Sequence, residues 1–271
     1  MDCLPAQGIE VIPGQMDEPR RVGELIRRHL GAIDRVIVAG GDGTLNSVVQ
    51  GLVGTGLPMG IIPLGTANNL ARTLGIPASL SEACQVAANG ARRPIDLGWV
   101  NGRYFFTTAS IGLSVQITEA LTSKTKRRWG ALAYGVAALR AIRQSHPFHA
   151  EISWSGGSRH SRSIQIVVGN GRYYGSALPV AEDARIDDAR LDLYSIEVHH
   201  WWELLALVPA LRRGRQGEKR SVEALRATEF EITTRAPLDI NVDGEICTQT
   251  PAHLRVHPAA LEVFAPLKES S

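Results

Sequence analysis

The apolar positions of this chain follow two rhythms. In the first third, uniformly apolar runs alternate with helical stripes. Val36-Ile37-Val38-Ala39 is too apolar to alternate and reads as a strand buried on both faces, as parallel strands of α/β proteins are. Past the glycines at 40, 41 and 43, Val48, Val49, Leu52 and Val53 recur on one helical face. Gly60-Ile61-Ile62-Pro63-Leu64-Gly65-Thr66-Ala67-Asn68-Asn69-Leu70-Ala71-Arg72 repeats the scheme of strand, glycine turn and helix. Upstream, Gly8–Pro13 reads as a strand and Glu18 to Leu30 as a helix with Val22, Leu25, Ile26 and Leu30 inward. Ser79-Leu80-Ser81-Glu82 has capping-box spacing and opens a helix carrying Ala83, Cys84, Val86 and Ala87. Such alternation predicts a doubly wound, Rossmann-like α/β domain.

After about residue 95 the rhythm changes to β. Leu97-Gly98-Trp99-Val100 and Arg103-Tyr104-Phe105-Phe106 flank Asn101-Gly102, the strongest short hairpin signal. Further strands are expected at Ala150–Trp154, Ser163–Val168, Leu191–Ile196, Phe230–Thr234, Leu238–Val242, His253–Val256 and Leu261–Phe264. They predict an antiparallel β-sandwich, with residues 1–95 and 96–271 as the two domains. Two helical insertions interrupt it. One runs from Ala131 to about Ile142 behind Lys124-Thr125-Lys126-Arg127-Arg128-Trp129; the other runs from Trp201-Trp202 to Leu211, broken at Pro209, and leads into the basic stretch Arg212–Arg220.

Composition narrows the function classes. The 271 residues can bury a substantial core, and a formal net charge of +2 gives no global argument for nucleic acid. No aromatic platform for bases is recognisable either, so nucleic acid is not an expected partner. No targeting segment opens the chain and no apolar run reaches the roughly 18 residues of a membrane span, so a cytoplasmic protein is expected. Basic clusters beside tryptophans suit the surface of an anionic membrane, which predicts peripheral association at the inner membrane face. Cys3, Cys84 and Cys247 lie far apart with no CxxC pair, so reduced thiols are expected.

The candidate chemistry begins at the glycine turns. Gly40, Gly41 and Gly43 can take positive φ and leave their N–H groups open to a close-approaching anion, and Asp42 or Thr44 can cap the helix that follows. Phosphate is the natural guest. A carboxylate at Asp42 tolerates phosphate best with a divalent cation between them, which points to a nucleotide with Mg²⁺. Between Glu182 and Asp192, five carboxylates fall in eleven positions, and like charges so close must disperse into water or gather round a hard cation. At Asp243-Gly244-Glu245 a strand end delivers two carboxylates, and phosphoryl transfer to an alcohol needs a positioned acceptor for the hydroxyl proton.

Gly40-Gly41-Asp42-Gly43-Thr44 with Pro63-Leu64-Gly65-Thr66-Ala67-Asn68 resembles the catalytic domain of the diacylglycerol kinase and sphingosine kinase superfamily, in particular the bacterial soluble lipid kinases. The resemblance continues through Asp96-Leu97-Gly98, Ser110-Ile111-Gly112, Ile186-Asp187-Asp188 and Asp243-Gly244-Glu245. It implies a phosphofructokinase-like nucleotide domain and a β domain offering an apolar channel for acyl chains. It also implies ATP held by Gly40, Gly41, Asp42, Gly43, Thr44, Leu45, Asn46 and Thr66. A structural Mg²⁺ is implied at the Asp188 carboxylate and the main-chain oxygens of Arg185 and Arg190. Catalysis is implied at the Asp-Gly-Glu segment, with Glu245 as proton acceptor and Asp243 as its competitor or partner. The activity implied is transfer of the γ-phosphate of ATP to a hydroxyl of a lipid such as diacylglycerol, phosphatidylglycerol or a sphingoid base. Kinases of soluble acceptors, such as NAD kinases, share a Gly-Gly-Asp-Gly turn, and a non-catalytic lipid- or nucleotide-binding protein is the other alternative. The first strand and Asn-Pro-x-Ser-Gly turn usual in that family have no match in residues 1–35, and Ala189 and Gly175-Ser176-Ala177 stand where it commonly carries glycines.

Overall fold

The computed structural model describes residues 3–14, 21–120, 145–171, 173–174, 178–179, 185–197, 203 and 222–267. The predicted helix at 131–142, the one at 201–211 apart from Glu203, both basic clusters and Gly175-Ser176-Ala177 lie outside the described residues.

The first region runs α1 (Val22–Arg28), β1 (Val36–Gly40), α2 (Asp42–Leu52), β2 (Met59–Pro63), α3 (Asn69–Leu74) and α4 (Leu80–Asn89). β1 and β2 pair in parallel with Val38 opposite Ile61. Both faces of β2 are covered: Met59 and Ile61 join a core built with Val48, Val49 and Leu52 of α2, while Ile62 packs with Leu4 and Cys84. Burial on both sides is why these strands read as continuous apolar runs.

The second region follows as β3 (Ala91–Val100), β4 (Arg103–Phe105), β5 (Thr108–Gly112), α5 (Leu113–Ala120), β6 (Phe148–Trp154), β7 (Gly157–Ser163), β8 (Gln165–Gly169), β9 (Tyr173–Tyr174), β10 (Leu178–Pro179), β11 (Leu191–Ile196), β12 (Val222–Ala227), β13 (Glu229–Thr234), β14 (Asp239–Val242), β15 (Glu245–Gln249) and β16 (Ala252–Ala265). A six-stranded sheet, β12-β11-β8-β5-β14-β15, faces the sheet ordered β1-β2-β16-β13-β6-β7, to which β3 and β4 attach through β16; β9 and β10 form a separate pair. Between the two large sheets lies a core of Ile111, Ile152, Ile166, Leu193, Ile232, Ile240 and Leu254. This is the expected sandwich.

β16 ties the regions together. It is antiparallel to β3 over most of its length, with a register shift between His257 and Leu261, and meets β2 in parallel at Val263 opposite Met59. The two strands expected at 253–256 and 261–264 are therefore one, bent at a bulge. The expected division between residues 95 and 96 falls inside β3.

Several expectations are corrected. Gly8–Pro13 forms no strand; the segment follows a short 3₁₀ turn at Pro5–Gln7, and Ile9 and Val11 lie against Leu4 and Ile62 without a ladder partner. Leu30 is exposed because α1 ends at Arg28, before the helical face would have turned it inward. Cys3 and Cys84 form a disulfide rather than staying reduced, because the packing of Leu4 beside Cys84 brings the N-terminal turn onto α4. Cys247 is a free, exposed thiol. The sandwich interior lined by Ile111, Ile166, Ile232 and Leu254 is closely packed, with no room for a water molecule. No helix among those residues is long and apolar enough to cross a membrane.

Candidate active site

The two glycine turns touch. Leu64 N–H donates to the Gly40 carbonyl at 3.0 Å, and a Cβ on Gly65 would stand 2.6 Å from the Gly41 Cα. Steric room, not left-handed backbone, is what requires glycine here: Gly41 has φ −97°, and a Cβ on Gly40 would meet the Thr44 side chain at 2.7 Å. Neither Asp42 nor Thr44 caps α2; Gly41 is its N-cap. Asp42 instead reaches the second turn, where its Oδ1 accepts from Leu70 N–H of α3 at 3.3 Å. Asn68 closes that turn, accepting from Gly65 N–H at 3.0 Å and donating to the Gly65 carbonyl at 2.8 Å. Thr66 is exposed beside it.

The expected phosphate cradle is uneven. Leu45 is 1 % exposed and its N–H donates to the Gly41 carbonyl at 3.1 Å; Asn46 is 2 % exposed. Both belong to the body of α2. The unpaired amide donors of a helix lie in its first turn, here Asp42, Gly43 and Thr44. Gly43 is exposed, with nothing within 4 Å of where its Cβ would stand.

Asp243 and Glu245 occupy contrasting environments at the β14–β15 turn. Asp243, at φ 48°, folds its carboxylate into the β4–β5 loop. Oδ2 accepts from Phe106 N–H at 2.8 Å; Oδ1 accepts from Thr107 N–H at 3.0 Å, Thr108 N–H at 2.9 Å and the Thr107 hydroxyl. Burial pushes this carboxyl above the usual range, against the pull of those four hydrogen bonds. Glu245 is 52 % exposed at its side chain, and its Oε2 lies 3.9 Å from Arg103 Nη2. Its surroundings are a cleft of about 680 Å³ lined by Gly23 and Arg27 of α1, Ser47, Gln50 and Gly51 of α2, Arg103, and Ile246 and Cys247 of β15. Gln50 holds this cleft in shape: its Nε2 donates to the Tyr104 carbonyl at 2.8 Å and its Oε1 accepts from Tyr104 N–H at 3.0 Å.

The acidic turn at 185–190 lies elsewhere. Ile186 anchors it in the α/β core. Asp187 accepts from Arg185 Nε at 3.0 Å and Arg93 Nη2 at 2.7 Å. Burial raises this carboxyl, but the two arginines outweigh it and hold it below the usual range. Asp188 Oδ1 accepts from Arg190 N–H at 3.2 Å. Burial, together with the charges of Asp192 and Asp96, pushes the Asp188 carboxyl up. A cation would relieve that strain, and one carboxylate with neighbouring main-chain oxygens is an all-oxygen donor set suited to Mg²⁺. Among the described residues no three His, Cys, Asp or Glu side chains converge as metal ligands.

Asp96 is a junction whose partners the sequence did not disclose. At 5 % exposure it accepts from Ala189 N–H at 2.6 Å and Ala259 N–H at 2.8 Å. Ala189 and Ala259 both have positive φ, so one carboxylate fixes the acidic turn and the β16 bulge together.

A parallel α/β region whose glycine turns meet, joined to an antiparallel sandwich that presents a carboxylate across a cleft, is a two-part α/β-plus-sandwich architecture of the nucleotide-binding type. Residues 2–100 match the diacylglycerol kinase catalytic domain, and residues 107–265 match the YegS C-terminal NAD kinase beta sandwich-like domain. The chain is 31 % identical over 219 residues to the protein named diacylglycerol kinase of Bacillus subtilis (strain 168), covering 80 % of this chain and 72 % of that one. It is 33 % identical over 255 residues to the protein of Pseudomonas savastanoi pv. phaseolicola named "Probable lipid kinase YegS-like", covering 92 % and 81 %. A diacylglycerol kinase structure from Bacillus anthracis str. Sterne has the same fold, with TM-score 0.76 at 19 % identity over 98 % of this chain and 88 % of that one. The chain therefore belongs to the diacylglycerol kinase-like family of lipid kinases.

Proposed function

We propose that this chain transfers the γ-phosphoryl group of ATP to a hydroxyl of a lipid. The observation that carries the reading is the placement of Glu245: it faces α2 across one cleft, and the first turn of α2 offers the free amides of Asp42, Gly43 and Thr44. Those amides and the Thr66 hydroxyl hold the nucleotide phosphates. Glu245 accepts the hydroxyl proton as the oxygen attacks phosphorus and ADP departs. Asp243, with both oxygens committed to the β4–β5 loop, positions Glu245 rather than taking the proton itself. Mg²⁺, when bound, spreads the charge of the transferring phosphoryl group. Asp42 is the side chain beside the nucleotide that would meet it, and Asp188 with the main-chain oxygens of Arg185 and Arg190 would hold a structural ion. Ile246, exposed in the cleft, favours an amphipathic acceptor over a soluble sugar or nucleotide.

Mass spectrometry of a total lipid extract incubated with the protein and ATP tests this. The expected result is one lipid class gaining a phosphate, with Glu245→Gln giving none; phosphorylation of soluble alcohols but no lipid would contradict it.

A further inference from the structure

Glu245 inherits its stance from the turn beneath it. Its side chain is half-exposed, and its ion pair with Arg103 is long, at 3.9 Å. Val242 pairs with Glu245 across the β14–β15 connection, which leaves Asp243 and Gly244 as a two-residue turn. Both take positive φ, 48° and 96°, as a type I′ hairpin turn requires. The N–H groups of these two residues find their acceptors outside the hairpin ladder. Asp243 N–H donates to the Thr108 carbonyl at 2.9 Å. Gly244 N–H meets a side chain instead: Asn241 Oδ1 accepts from it at 2.8 Å.

Asn241 is 6 % exposed, so its neighbours decide how its amide is oriented. Its Nδ2 donates to the Thr118 hydroxyl of α5 at 2.7 Å. That hydroxyl spends its own proton on the Ser114 carbonyl, one turn back along α5, at 2.9 Å, and so offers Asn241 only lone pairs. A rotated amide would set its NH₂ against Gly244 N–H, donor against donor, so one orientation satisfies both ends. α5 is itself pinned at its start. Ser114 N–H donates to Gln165 Oε1 of β8 at 2.7 Å, and Gln165 Nε2 donates to the Ser114 hydroxyl at 2.9 Å. A directed chain of hydrogen bonds thus runs from β8 through α5 and Asn241 to the amide of Gly244, next to Glu245. We propose that Thr118 and Asn241 are positioning residues for the transfer: by orienting one amide they hold Gly244, and through it Glu245, at the cleft. The inference rests on the kinase reading above. Asp243 fastens the turn to the β4–β5 loop, and the Thr118–Asn241 pair fastens it to α5. Neither Thr118 nor Asn241 lines the cleft, so ATP binding does not depend on them.

Thr118→Val deletes the hydroxyl at almost constant shape, and Thr118→Ser keeps it. Hydrogen exchange in the protein without substrate reads the lock directly. The Gly244 amide should exchange about tenfold faster in Thr118→Val and in Asn241→Leu, and near the wild-type rate in Thr118→Ser. Single-turnover transfer from γ-labelled ATP to a total lipid extract, normalised to the ATP sites counted by calorimetry, reads the consequence. The rate per site should fall about tenfold in Thr118→Val, with ATP affinity unchanged, and recover in Thr118→Ser. Thr55→Val, which deletes a hydroxyl bonded to the Leu52 carbonyl at the end of α2, should change neither readout. A lost hydroxyl that only weakened the fold would lower the number of ATP sites, not the rate at each. Unchanged Gly244 exchange in Thr118→Val, or faster exchange with an unchanged rate per site, would overturn the proposal, as would weaker ATP binding in place of slower transfer. Wild-type protein that phosphorylates no lipid, while Gly244 protection falls in Thr118→Val and is kept in Thr118→Ser, would support the lock and refute the kinase reading.

Discussion

At the residue scale, two carboxylates two positions apart occupy opposite environments, one saturated with hydrogen bonds and the other half-exposed. Asp243→Asn places an NH₂ group, or a poorer acceptor, against three backbone N–H groups and a hydroxyl. Chemical denaturation should show a loss of about 1–3 kcal/mol. Glu245→Gln changes an exposed side chain and should alter stability by no more than about 0.5 kcal/mol. Asp187 gives a pH signature. Its folded carboxyl lies below the usual range, so the stability it contributes is fully present above about pH 4, the ordinary aspartate value, and is lost as pH falls through the lower folded value. Acid unfolding of Asp187→Asn beside wild type should show this: the variant is less stable at neutral pH, and the difference disappears in strong acid.

At the scale of elements, the decisive contact is α2 on β4. Gln50→Ala removes both hydrogen bonds to the Tyr104 backbone and should cost about 1–3 kcal/mol, with faster hydrogen exchange at the Tyr104 amide; protection equal to wild type would show that the clamp is dispensable. Sequence patterns disclosed some elements and hid others for physical reasons. The β3–β4 hairpin was legible because Asn101 and Gly102 both take positive φ, which few other residue pairs accept. β11 was legible at its exact bounds, being six buried positions in a row. β15 escaped notice because all five of its residues face solvent wholly or partly and show no buried stripe. Asp96 could be quoted as part of a motif, but its partners lie 93 and 163 residues away, and only the folded chain brings them to it. The same holds for Cys3 and Cys84, separated by 81 residues.

At the scale of the whole molecule, one strand, β16, spans both regions. β16 pairs with β2 of the α/β region and with β3 and β13 of the sandwich, and the six-stranded sheet that carries the Asp243–Glu245 turn packs on that sheet through the sandwich core. A pair of independent domains would have to close around both substrates; here α2 and β15 already share the walls of a cleft. The most direct test is a paired measurement on Glu245→Gln: ATP affinity by calorimetry and single-turnover transfer from γ-labelled ATP to lipid. Affinity close to wild type with transfer reduced about 10²-fold or more is the expected result. Transfer at the wild-type rate would contradict Glu245 as the group that takes the proton, and with it the use proposed for the cleft.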